Sequence, residues 1–241
     1  NGNLISESTG IFVTEYEYSD LNKVTVTKKG GIVVSTKGYD NAGNLVTDSD
    51  GRGSITTYQY DLKSRLLKKI YPTGDFESFT YDSNGNIVAK VNAAGGTTSF
   101  IFDSLDRIIE KRDELTQLWK YTFDSIGNLT KLTDPNNKEE NYTWDILGRK
   151  ISVSKTSLEL GTITESYEYD LSNNKTKITD PNGNTTLYQY DVSNRVLEVK
   201  DPEQNTTYYY YDLVGNKIME TDPNGESKFF RYDSLRRLVR E

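Results

Sequence analysis

A single clock of 21 residues runs through the chain. An aromatic residue stands at Tyr18, Tyr39, Tyr60, Tyr81, Phe102, Phe123 and Trp144, each 21 residues after the one before. A step of 25 leads to Tyr169, and steps of 21 resume to Tyr190, Tyr211 and Tyr232. Asp follows directly at Asp40, Asp61, Asp82, Asp103, Asp124, Asp145, Asp170, Asp191, Asp212 and Asp233; only the first repeat differs, with Ser19 in that place. A fixed short period is the mark of a repeat architecture, so each structural unit must be complete within one period.

Other positions keep the same time. Two residues before the key aromatic stands a second aromatic in ten of eleven repeats, Lys37 being the exception. All five prolines (Pro72, Pro135, Pro181, Pro202, Pro223) fall twelve residues after the key aromatic, and Gly53, Gly74, Gly95, Gly183 and Gly225 fall fourteen after it. Two turns per repeat follow from this phasing. Segments such as Thr57-Tyr58-Gln59-Tyr60 are β-branched and aromatic, and a spacing of two puts both rings on one face of a strand. Asp then opens a turn, its carboxylate suited to accept backbone N–H groups two or three residues on, with Gly43, Gly85, Gly127, Gly215, Asn173 or Asn194 supplying a positive φ. Aliphatic pairs such as Leu66-Leu67, Ile87-Val88 and Ile108-Ile109 form the return strand.

Each repeat is therefore read as one β-hairpin. A lone hairpin is marginal in water, so neighbours must stack edge to edge and align their aromatics in ladders. The expected fold is all-β: tandem 21-residue hairpins in a continuous, twisted antiparallel sheet that spirals as a curved wall or solenoid-like array. Residues 1–241 are read as one array of about eleven repeats, with a four-residue insertion in the 144–169 repeat, and as a piece of a longer protein. In the insertion, Leu158 and Leu160 are expected on a lengthened surface turn.

Composition narrows the function. The 18 Tyr, 8 Phe and 2 Trp are too many for a disordered chain, although 27% of residues are charged. Without Cys or His there is no disulfide, no thiolate site and no imidazole base. A formal charge of −7 lacks the basic footprint of a nucleic-acid surface. No stretch approaches the roughly 18 apolar residues of a membrane-spanning helix.

A second rhythm lies five residues after the key aromatic: Lys23, Asn44, Arg65, Asn86, Arg107, Asn128, Arg149, Asn174, Arg195, Asn216, Arg237. Basic residues and Asn alternate, which suggests a unit of two hairpins. The expectation is that the Arg turns pack against a neighbouring Asp, while the Asn turns alone adopt the left-handed conformation. Asp48-Ser49-Asp50-Gly51-Arg52-Gly53 hints at a calcium loop, but the position where an EF-hand needs Glu is Gln59; it reads as a turn. A glycosidase reading with Trp119 and Trp144 as sugar platforms needs one distinctive carboxylate pair, whereas here the same Asp recurs at every turn.

The unit Tyr-Asp-x-x-Gly-Asn/Arg-Leu, followed by Asp-Pro-x-Gly, resembles the RHS/YD repeat family, as in Tyr81-Asp82-Ser83-Asn84-Gly85-Asn86-Ile87 and Trp144-Asp145-Ile146-Leu147-Gly148-Arg149. In that family the repeats wall a hollow β-sheet shell in bacterial polymorphic toxins and insecticidal toxin complexes, and related repeats occur in the extracellular part of teneurins. The resemblance implies a non-catalytic, secreted or surface-exposed bacterial scaffold without cofactor. Its implied partners are the rest of the parent shell and an enclosed C-terminal toxin. The family's Pro/Gly/Asp-rich core beside its self-cleavage site is not recognisable, so no catalytic or metal-binding role passes to any residue. The second reading is a stalk or adhesin whose aromatic face binds glycan or another cell surface.

Overall fold

The computed structural model describes residues 3–9, 12–157 and 161–241. Leu158 and Leu160 lie outside them. All regular structure among these residues is β-strand, as the period-two aromatics require.

One repeat shows how 21 residues are spent. Strand Ile55–Tyr60 is followed by a five-residue turn, strand Leu66–Ile70, and a second five-residue turn before Phe76–Tyr81. Within each unit, consecutive strands pair antiparallel, except that Ser227–Phe229 and Arg231–Tyr232 belong to different sheets. The chain divides into two compact units, residues 1–119 and 120–241. In the first, an unbroken meander runs from Ser6–Thr9 to Ile108–Arg112. The second is a meander from Leu118–Phe123 to Ser227–Phe229, followed by a separate hairpin, Arg231–Tyr232 with Leu238–Arg240.

Each YD hairpin also carries a register shift at its key aromatic. Tyr60 faces Leu66 and Gln59 faces Lys68, so Leu67 is an extra, bulged residue. The same shift recurs at all eleven key aromatics, from Glu17/Tyr18 to Arg231/Tyr232. A bulge adds local right-handed twist, so twist is built into the repeat at a fixed place. Doubled aliphatics such as Leu66-Leu67 are the residues that absorb it.

The strands that flank the insertion are longer than in most other repeats. Lys150–Ser157 and Gly161–Tyr169 run eight and nine residues, paired in register from Ser152 with Ser166 to Ser157 with Gly161. Among the described residues no hydrophobic side chain is fully buried, and Thr14 is the sole buried polar one. A single-layer sheet has no interior, so stability must come from ladders of half-covered side chains and from the backbone.

Candidate functional site

The recurrent feature is the YD turn. In Asp61-Leu62-Lys63-Ser64-Arg65, the Asp61 N–H donates to the Arg65 carbonyl at 3.0 Å, and the Ser64 N–H donates to the Asp61 carbonyl at 3.0 Å. Asp61 Oδ1 accepts the N–H groups of Lys63 (2.8 Å) and Arg65 (3.0 Å). The carboxylate thus serves residues two and four on; the N–H three on is already spent on the Asp carbonyl, which corrects the expected pattern in this turn. Asp82 departs slightly, accepting Gly85 N–H as well as Asn86 N–H. Where the first repeat has Ser19, its hydroxyl accepts from Leu21 and Lys23, both at a longer 3.3 Å.

The left-handed residue sits three after the Asp in every turn, whichever column residue follows. It is Gly43, Gly85, Gly127, Asn173 and Gly215 before Asn, and Ser64, Asp106, Gly148, Asn194 and Arg236 before Arg. The expectation that Asn turns alone adopt this conformation is therefore corrected: the dihedral belongs to the turn geometry, a type I turn closed by a left-handed residue.

Both column residues hold their own Asp, and both reach onward. Arg65, Arg149 and Arg195 donate Nε to Oδ2 of Asp61, Asp145 and Asp191 at 2.6–2.7 Å, and Arg107 and Arg237 do the same to Asp103 and Asp233. Asn44, Asn86, Asn128, Asn174 and Asn216 donate Nδ2 to Oδ2 of Asp40, Asp82, Asp124, Asp170 and Asp212 at 2.7–3.0 Å. The Arg Nη1 then crosses to the next turn's Asp carbonyl: Arg65 to Asp82 (3.2 Å), Arg149 to Asp170 (2.7 Å), Arg195 to Asp212 (3.1 Å). The same guanidiniums lie 4.6–4.8 Å over the rings of Tyr81, Tyr169 and Tyr211. The shorter Asn reaches a side chain instead: Asn44 to Ser64 Oγ, Asn86 to Asp106 Oδ1, Asn174 to Asn194 Oδ1.

The key aromatics reach the other way. Hydroxyls of Tyr39, Tyr81, Tyr190 and Tyr232 donate to carbonyls fifteen residues earlier, at Val24, Leu66, Lys175 and Lys217, over 2.8–3.0 Å. Tyr169 spans the insertion to Lys150, and Trp144 uses Nε1 to reach Leu129 at 2.7 Å. Each acceptor is the residue just before the bulge. Phe102 and Phe123 carry no hydroxyl for this bond. The Arg contacts agree with the expectation that the Arg turns pack against a neighbouring Asp; the backward bond was not read from the sequence, although outside the insertion its offset of 15 residues was there to find.

The second turn repeats the first in other residues. Asp50, Asn92, Asp113, Asp134, Asp180 and Asp222 each accept N–H groups two and four on through Oδ1. Asp201 accepts the Asn205 N–H, four on, in the same way. The Asp-Pro-x-Gly pattern marked this turn and its Asp, eleven after the key aromatic, but not the bonds its side chain makes. In the calcium-loop candidate, Asp50 is occupied by Arg52 and Ser54 in this way.

Electrostatics follow from the bonding. The carboxyls of Asp61, Asp145 and Asp191 are held below the usual range, first by the N–H of Arg65, Arg149 and Arg195, then, against some desolvation, by the guanidinium. Asp40 and Asp170 are lowered chiefly by the amides of Asn44 and Asn174. At Asp82 and Asp212 desolvation pushes upward, and the donors outweigh it. On the strands, desolvation and a hydrogen bond to Glu140 push Tyr142 up to about 12, and Tyr167 rises to about 12 for the same reasons beside Glu165. Tyr58, Tyr188 and Tyr209 are half-buried, and cations cap neighbouring rings, as Lys175 does Tyr167 at 4.0 Å. Trp144 is turned to its backbone bond, and Lys111 lies 4.8 Å over Trp119.

These turns are identical in plan and mutually bonded, with no carboxylate pair set apart, so they form a structural scaffold. The RHS Repeat model matches residues 169–206. Among solved structures, that of TcdB2-TccC3-TEV matches with a TM-score of 0.65 at 17% identity over 97% of this chain. That of TcdB2-TccC3-Cdc42 matches with a TM-score of 0.53 at 15% identity, also over 97%. The chain spans 16% of the length of each. No curated protein sequence matches significantly. The Teneurin YD-shell model matches residues 4–173, well over half the chain, and the chain belongs to that shell-repeat family.

Proposed function

We propose that residues 1–241 form one array, a non-catalytic wall segment of a secreted or surface-exposed bacterial shell that encloses and delivers a toxin at the C-terminal end of the parent protein. The observation that carries this reading is the two-way bonding of the turns. Most repeats direct an Arg or Asn forward or a Tyr hydroxyl or Trp N–H backward, which suits a wall whose units are braced by their neighbours. The carboxylates are committed to turns, which supports a structural role over a catalytic one. Half-buried, cation-capped aromatics support packing rather than sugar stacking. The structural likeness to TcdB2-TccC3 complexes fits the same reading.

The test is protease protection in the parent protein. The segment downstream of the repeats should resist digestion while the repeats are intact, and become sensitive once the turns are broken by paired Asp→Ala changes at Asp145 and Asp191. Digestion of that segment as fast in the intact parent as in isolation would refute enclosure.

A further inference from the structure

The two edges of the sheet differ in chemistry. In residues 120–241, the YD-turn tips carry Ile126, Ile146, Leu147, Leu171, Val192, Leu213, Val214 and Leu235, all exposed. Four of these side chains are essentially bare: Ile146 at 95%, Leu171 at 101%, Val192 at 104% and Leu213 at 105%. All six consecutive YD turns of this unit contribute at least one. Between the Asp and the column residue of those turns, the only charged residue is Arg236. Among the described residues of the opposite edge, the turns carry Pro135-Asn136, Pro181-Asn182, Pro202-Glu203 and Pro223-Asn224, with no aliphatic at those four tips.

The turn geometry does not ask for these aliphatics. The second position of a type I turn accepts almost any residue, and Ser83, Ser104, Ser125 and Ser234 occupy it in other repeats. Nor do they support the sheet, since a side chain exposed to this degree covers nothing. Successive YD tips are two strands apart, roughly 9–10 Å, so the aliphatics form a regular crest along one edge.

We infer that this crest is an association surface whose occupant is the same crest of a second copy of this chain. Three observations select that occupant. The spacing of the crest is matched by another run of YD turns, whose tips enter the intervals between its own. The near absence of charge along the tips allows two identical crests to meet without repulsion and gives an anionic surface nothing to hold. The area is sufficient: at about 100 Å² for each side chain on the usual transfer scale, the crest offers about 800 Å² per partner, the size of a standard specific interface. Paired on a two-fold axis, each crest meets its own copy. This inference does not rest on the proposed toxin shell and can fail while that reading stands.

The test is sedimentation equilibrium of the 241-residue chain, comparing wild type, the triple variant L171S/V192S/L213S and the strand-edge variant F229K. All four positions are exposed, so circular dichroism should be unchanged. Wild type should self-associate below about 200 μM, the triple variant should weaken association at least about tenfold, and F229K should leave it unaltered. A wild-type monomer throughout that range overturns the inference. So does association lost only in F229K, which would place contact at the open strand edge, or association that the triple variant leaves unchanged. A monomer that co-sediments with neutral phosphatidylcholine vesicles would assign the crest to lipid and equally overturn it.

Discussion

Replacing Tyr190 by Phe removes one hydroxyl and almost nothing else. The ring keeps its half-buried place on the sheet, so the apolar contribution is constant and the change isolates the 2.8 Å bond to the Lys175 carbonyl. A neutral intramolecular hydrogen bond is worth about 0.5–1.5 kcal/mol net. Lys175 is itself half-exposed, and water can take part of the lost bond, so the expected cost lies near the lower end, about 0.5–1 kcal/mol. In a chain of this size that corresponds to a fall in Tm of about 1–4 °C. Tyr81→Phe should cost the same, because its bond to Leu66 is 2.9 Å. The reverse change is the sharper test. Phe102 lies fifteen residues after Ile87, so Phe102→Tyr should supply the bond that this repeat lacks and raise stability by a similar amount. Urea titration gives the global value. Hydrogen exchange of amides in residues 185–200 checks that the effect is local, since repeat arrays need not unfold in one step. If Tyr190→Phe changes stability by less than about 0.3 kcal/mol, or Phe102→Tyr lowers it, the backward bond is not a bracing element.

Three further outcomes follow. The folded-state pKa values of the turn carboxyls are lowered, so their contribution is complete above the ordinary range near 4 and is lost as pH falls through the folded values. The urea midpoint should therefore hold from about pH 7 to 5 and drop steeply below about 4; a flat profile down to about pH 2.5 would contradict the bonding. Thr116 is a β-branched residue at φ 63° in the phase where Gly95 stands one repeat earlier, and Thr116→Gly should stabilise by about 1 kcal/mol, measured by thermal melting. A double-mutant cycle on Asn174→Ala and Asn194→Gly, joined at 2.8 Å across adjacent turns, should show a coupling of at least about 0.5 kcal/mol, and additivity would count against bonding between turns.

Much of the fold was legible because the period is strict. Aromatics two apart fixed strands and a shared face, and Pro and Gly fixed two turns. The bulges were not legible, because a doubled aliphatic such as Leu66-Leu67 reads equally as a regular strand. The left-handed position was visible at Gly43 and Gly85 but hidden at Ser64, Asp106 and Arg236, where residue type gives little sign of positive φ. In those turns the Asp bonds and the closure at the Arg column impose the dihedral. The insertion was read as turn, yet Ser154, Lys155 and Thr156 continue the ladder, since β-branched and short polar residues pair as readily as they loop.

The alternation of Arg and Asn becomes intelligible only through the side chains of the following turn. Arg is long enough to pass the left-handed residue and bond the Asp carbonyl beyond it. A Cβ at Gly85 or Gly215 would sit in ordinary contact, 3.8–4.0 Å from the Arg65 and Arg195 Nη1, and past Asn173 the Arg149 Nη1 still reaches the Asp170 carbonyl at 2.7 Å. Asn is too short for that carbonyl, and Asn44, Asn86 and Asn174 bond instead an acceptor side chain on the left-handed residue itself, Ser64, Asp106 and Asn194. Glycine follows Arg65, Arg107 and Arg195, and an acceptor side chain follows Asn44, Asn86 and Asn174, whereas Asn173 after Arg149, Gly148 after Asn128 and Arg236 after Asn216 depart from that pairing. At the six conforming turns, a slip of one hairpin would set Asn against Gly and Arg against a polar side chain, while a slip of two would restore most of the matches. The two-hairpin rhythm therefore has a physical reason to persist beyond shared ancestry, because it penalises the nearest misregister of a sheet whose strands are otherwise alike.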